Sequence, residues 1–265
     1  MSGPAGLDAL GAEAARALTC VAFDLDDTVL DHGRLGLEAF AALHALARAG
    51  VDLVATTGRP SGFAEVVARQ WPVSAAIAEN GAVAWERGAD GRVVVSDPLP
   101  SGERAERRAE LMRVAAAIQS AFPAIDLADD NWARRTDVAL DIGEHQRVEP
   151  DVVARARTLA ESMGARTFAS SVHMHLTFDL SDKATGFAAL ATRRGRDPVR
   201  ALAEAAFVGD SGNDAAAFAA FGLTFGVSNV RAHLTALPVP PRFVSPSPMG
   251  RGFAEVADRI LALRV

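Results

Sequence analysis

Four short apolar runs stop abruptly at polar or acidic residues, and this pattern constrains the fold of the chain more than any other feature. Cys20–Phe23 ends in Asp24–Asp27, and Val51–Ala55 ends in Thr56-Thr57-Gly58-Arg59-Pro60. Val73–Ala78 ends in Glu79-Asn80-Gly81, and Ala205–Val208 ends in Gly209-Asp210. Between the first two runs, Leu37, Phe40, Leu43 and Leu46 recur at helical spacing as far as Gly50, a helix stop. Gly62–Gln70 reads as a second helix. Strand–helix alternation of this kind predicts a parallel sheet covered by helices.

The rhythm changes after Gly81. Ala82–Trp85 and Arg92–Ser96 flank a Gly/Asp-containing turn and read as a β-hairpin. A charged helix follows over Ser101–Ala121, with its stretch to Arg113 expected to face solvent. In Arg135–Ile142, Val138, Leu140 and Ile142 alternate with Asp137 and Asp141. After a helix over Asp151–Met163, Val172, Met174, Leu176 and Phe178 alternate with Ser171, His173, His175 and Thr177. Strands with one apolar and one polar face, plus two helices, describe an α+β unit. The first rhythm returns with a helix from Lys183 to Arg194, a helix over Asn213–Phe221, a strand over Leu223–Val227 and a helix over Phe253–Leu263. Pro238–Pro248 reads as a loop. The expected architecture is an α/β, Rossmann-like parallel-sheet core from residues 1–82 and 181–265, with residues 83–180 inserted as an α+β cap.

Composition narrows the partners. A net charge of −6 argues against a broad nucleic-acid surface, which rewards dense cationic patches. The single cysteine, Cys20, rules out an internal disulfide and suits a reducing cytoplasm. Met1–Leu18 lacks the basic-then-apolar pattern of a signal peptide, and no run is long enough to cross a bilayer. A cytoplasmic monomer or homodimer, with neither nucleic-acid nor membrane partners, is expected.

In parallel α/β sheets ligands gather at the carboxyl ends of the strands. Asp24 and Asp26, Thr57, Glu79 and Asn80, and Asp210 and Asp214 all fall there. Carboxylates this close cannot all stay ionised without a cation, and hard oxygen ligands suit Mg²⁺.

Four segments in order, Asp24-Leu25-Asp26-Asp27-Thr28, Thr57-Gly58-Arg59, Lys183 at a helix start, and Gly209-Asp210-Ser211-Gly212-Asn213-Asp214, resemble the motifs of the haloacid dehalogenase superfamily of phosphatases. The insert between Thr57 and Lys183 resembles the branch with a large α/β cap, which includes Cof-like sugar phosphatases and sucrose-phosphate phosphatase. Many members of that branch carry Gly where this chain has Asp27. The resemblance implies that Asp24 is a nucleophile forming an aspartyl-phosphate, and that Asp26 is the acid/base, its backbone carbonyl touching the metal. It implies Mg²⁺ held by Asp24 and Asp210, with Asp214 orienting a metal-bound water or Lys183. Thr57 and Lys183 would hold phosphate oxygens, with Thr56 as the alternative to Thr57. Gly58 lies in the same phosphate loop, Arg59 is assigned to phosphate or cap, and Ser211 or Asn213 assists.

On the cap, Ser171, His173 and His175 form a polar face that would meet substrate hydroxyls if it closes over the site. Arg134, Arg135 and Asp137 read as surface charges, with substrate contact as the alternative. The implied activity is hydrolysis of a sugar phosphate or similar small phosphorylated metabolite. The alternatives are a phosphomutase of the same fold and a catalytically silent binding protein.

Overall fold

The computed structural model describes residues 3–169 and 172–264. Among these residues, the large sheet has nine strands in the spatial order 5–6, 243–244, 223–226, 205–209, 20–24, 52–56, 75–78, 83–87 and 93–96. The first seven run parallel to one another. Cys20–Asp24, between Ala205–Gly209 and Asp52–Thr56, is buried at every position, as a central strand covered on both faces should be. One face packs on the helices Leu37–Arg48 and Met249–Arg264 around Phe23, Leu43, Phe225 and Phe253. The other face packs on Lys183–Arg193, Pro198–Ala203 and Ala215–Ala220 around Phe187, Phe207 and Phe218.

The second sheet is antiparallel, in the order 166–169, 173–177, 137–141 and 126–127. Val138, Leu140, Met174 and Leu176 turn from it into a core shared with the helices Ser101–Ala121 and Pro150–Ser162. The expected alternation is therefore present. No helix among the described residues is long and apolar enough to cross a membrane.

Several expectations need correction. The hairpin Val83–Arg87/Val93–Ser96, assigned above to the inserted unit, is bonded antiparallel to Ala75–Ala78 and extends the large sheet instead. Its partly buried Trp85, Val93 and Val95 pack on the core, which periodicity alone does not reveal. The charged helix is not wholly solvated: Arg104 is buried and pairs with Asp97 and Asp179, at the two crossings between the sheets. Arg134 and Asp137 are buried rather than surface charges, as their mutual ion pair of 3.1 Å allows. The Pro-rich loop contains a short strand, Phe243–Val244, held by Phe225 and Gly226. A small hairpin, Leu30–Asp31 with Arg34–Leu35, follows the acidic loop; its two-residue strands are too short for any periodicity.

The Lys183 helix is seated by a close backbone approach. Gly81 sits at φ 101°, and a Cβ on Gly186 would lie 2.5 Å from the Gly81 Cα. Asp182 caps this helix, its carboxylate accepting from Thr185 N at 2.8 Å while Thr185 Oγ1 accepts from Asp182 N. Gly186→Ala is expected to lift the helix off the Glu79-Asn80-Gly81 turn and to destabilise the fold by about 1–3 kcal/mol. An unchanged urea midpoint would contradict this packing.

Candidate active site

The parallel register sets the site. Asp24 pairs with Thr56 at the carboxyl end of adjacent strands, and Asp210 follows Gly209 on the other side. One oxygen each from Asp24, Asp210 and Asp214 lies within 4.8 Å of the others, and all three residues are buried. Lys183 reaches this group from its helix start, with Nζ 2.7 Å from Asp24 Oδ1 and 2.6 Å from Asp214 Oδ1. Its side chain is 1 % exposed.

Electrostatics follow from burial. Desolvation, with the charges of Asp214 and Asp210 adding to it against Lys183, raises the Asp24 pKa well above the usual carboxylate range. Burial and the neighbouring Asp214 push Asp210 up to about 7. Burial works against the Lys183 ammonium, but Asp214 and Asp24 hold its pKa above the ordinary lysine value. Three carboxylates face one ammonium, so the cluster is short of positive charge. That deficit and the all-oxygen donor set fit a hard divalent cation such as Mg²⁺.

Each acid has a different set of partners. Asp214 Oδ2 accepts from Asp210 N at 2.8 Å and Ser211 N at 3.1 Å, so both of its oxygens are engaged in holding Lys183 and the loop. Asp210 accepts from Thr28 Oγ1 at 3.2 Å and from Asn229 Nδ2 at 2.9 Å. Asp26 is absent from the cluster: its carboxylate is gripped by Arg59, with Nε at 2.9 Å and Nη2 at 2.6 Å. Arg59 in turn stacks 4.4 Å over the ring of Phe63. Asp27 adopts φ 53°, a left-handed conformation that glycine takes most easily and Asp tolerates. Its carboxylate lies 3.6 Å from His32, and its charge also bears on Asp210.

The two threonines separate clearly. Thr56 Oγ1 donates to Phe23 O at 3.2 Å and so serves the sheet. Thr57 Oγ1 accepts from Arg59 N at 3.0 Å, which leaves its own proton to be donated. Gly58 lies against the Asn80 side-chain amide, whose Nδ2 is buried without a hydrogen-bond partner.

Not every expected residue converges. Asn213 stays exposed on the turn before Asp214. His173 Nε2 lies 2.7 Å from Glu144 Oε2 within the inserted unit. His175 is buried against Phe168 and bonded to Asp137 at 2.9 Å. Arg135 lies 3.9 Å from Asp97, toward the crossing segments. Ser171 lies outside the described residues. Sequence reasoning missed Asn229, which no motif marks, and gave no role to Thr28, the last residue of the first motif. It also passed over a plain compositional signal: Lys183 is the only lysine in the chain.

Residues 21–113 match the haloacid dehalogenase-like hydrolase family. No curated protein matches the chain by sequence. Solved structures do match by shape. A protein from Thermoplasma acidophilum, 0175, superposes with a TM-score of 0.72 at 18% identity, covering 92% of this chain and 98% of its own. The sucrose-phosphatase of Synechocystis gives 0.65 at 18% identity, over 92% and 98% of the two chains. A sugar phosphatase of HAD subclass IIB, BT4131, gives 0.65 at 15% identity, over 92% and 99%. At these identities the shape comparisons establish a shared fold. The segment that matches the haloacid dehalogenase-like hydrolases thus holds Asp24, Asp26 and Thr57, and the chain as a whole shares its fold with these solved structures.

Proposed function

We propose that the chain is a Mg²⁺-dependent phosphomonoester hydrolase working through an aspartyl-phosphate on Asp24, on a sugar phosphate or similar small phosphorylated metabolite. The observation that carries this reading is the Asp24–Lys183 contact of 2.7 Å inside the cluster of Asp24, Asp210 and Asp214. The sugar-phosphate class is supported by the names of the fold neighbours, a sucrose-phosphatase and a sugar phosphatase.

In this mechanism an Asp24 oxygen attacks phosphorus and the bond to the leaving alkoxide breaks. Asp26 gives that alkoxide a proton. Water then attacks the phosphoryl group on Asp24, and Asp26 takes the proton from the water. Because Arg59 grips the Asp26 carboxylate, the proton transfer requires Arg59 to free an oxygen. Lys183 and the Thr57 hydroxyl hold phosphoryl oxygens, where charge gathers in the transition state. Asp24, Asp210 and the Asp26 carbonyl would hold Mg²⁺, which supplies the charge neutralisation that lets a carboxylate meet a phosphate dianion. Asp214 keeps Lys183 in place.

Asp24→Asn and Asp26→Asn are each expected to lower p-nitrophenyl phosphate turnover at least about a thousandfold while leaving the circular dichroism unchanged. Undiminished turnover in either removes the mechanism, and isomer formation in place of phosphate release would make the protein a mutase. Mg²⁺ is expected to raise the wild-type melting temperature and to leave that of Asp210→Asn unmoved; equal shifts in both would place the ion elsewhere. Lys183→Arg should lose activity although charge is kept, because the guanidinium fork is larger than the ammonium enclosed between Asp24 and Asp214. Activity near that of wild type would show that the ammonium is not a required point contact.

A further inference from the structure

The loop Thr57-Gly58-Arg59-Pro60-Ser61 is gripped at two points by groups tied to the inserted unit. Arg134 Nη1 donates to Gly58 O at 3.2 Å. Glu79, at the end of a core strand, accepts from Ser61 N at 2.8 Å and from Arg135 N at 2.9 Å through Oε1. Its Oε2 accepts from Thr136 N and Thr136 Oγ1, both at 2.5 Å, and from Asp137 N at 3.3 Å. Glu79 is 3 % exposed, and a carboxylate that far from water depends on such donors.

Arg134 is itself immobilised. It is 4 % exposed, with Nε 2.8 Å from Asp130 Oδ1, Nη2 2.7 Å from Asp130 Oδ2 and Nη1 3.1 Å from Asp137. His175 Nδ1 lies 2.9 Å from Asp137 Oδ2, an oxygen that Arg134 also meets. A guanidinium so engaged is not free to recognise a leaving group. What it does reach is one peptide of the loop.

That peptide has a second end. Gly58 C=O and Arg59 N–H belong to one planar trans unit and point in opposite directions. Holding the carbonyl from the side of the inserted unit aims the N–H at Thr57 Oγ1, to which it donates at 3.0 Å. The Thr57 hydroxyl, accepting there, keeps its proton to donate.

We infer that Arg134, seated by Glu79, is a positioning residue for Thr57, so that the phosphate loop is in working order only when the inserted unit is docked on the core. The inference rests on the phosphatase reading for its chemistry, and the geometry of the clamp stands apart from it.

Inorganic phosphate tests the idea, because it has no leaving group for a cap to recognise. Arg134→Lys keeps the buried charge and loses the fork that serves Gly58 and both acids at once. Thr136→Val removes one donor to Glu79 and is the milder change. Both variants, checked for folding by their melting curves, are expected to raise the inhibition constant of inorganic phosphate about tenfold. Exchange of the Arg59 and Ser61 amides with deuterium should also quicken in both, with the strand Cys20–Asp24 unaffected. An unmoved inhibition constant in folded variants, or unmoved amide exchange, overturns the inference. A wild type that neither hydrolyses phosphate esters nor binds phosphate defeats the phosphatase reading instead, and amide exchange still decides the clamp.

Discussion

A single buried ammonium among three carboxylates governs this site. Asp24, Asp210 and Asp214 sit at strand ends and turns that the parallel sheet brings side by side, and unbalanced they would repel one another. Lys183 supplies one positive charge from a helix start whose position depends on Gly186 meeting Gly81. The remaining imbalance leaves the cluster short of positive charge. Packing far from the chemistry thus determines where its central charge lies.

The same dependence extends across the two sheets. Glu79 closes the gap between a core strand and the segment Arg135–Asp137, and its acceptor capacity is taken up by backbone N–H groups that would otherwise be orphaned. Behind it, Arg134, Asp137 and His175 are buried together, with the partly exposed Asp130 bonded to Arg134 at their edge. Burial lowers the His175 pKa, while the adjoining Asp137 carboxylate opposes that shift. Such an arrangement specifies one docked geometry, since any sliding would leave charges unpaired.

How much of this the sequence revealed depends on the length of each signal. Cys20–Asp24 and Ala205–Gly209 are continuous apolar runs with acidic ends, and both the strands and the acids that meet at their ends could be read from them. The motif residues Asp24, Asp210, Asp214 and Lys183 do converge. Val138 and Leu140 correctly marked one face of their strand, but alternation cannot say whether the opposite face meets solvent or another layer. Asp137 was misjudged for that reason; Arg134 and Arg104 lie outside the strand and are buried by ion pairs with distant or neighbouring acids, which charge alone does not reveal. Asn229 acts on Asp210 from nineteen positions along the chain through a turn with no pattern of its own. The capture of Asp26 by Arg59 depends on a side-chain conformation, which no motif encodes.

Arg104 adds a consequence for motion. Its guanidinium bonds Asp97 on the outgoing crossing and Asp179 on the returning one, with Arg107 also reaching Asp179. Two connecting segments tied to one side chain lose their independence. Neither connection can then shift without breaking a charged hydrogen bond to the other.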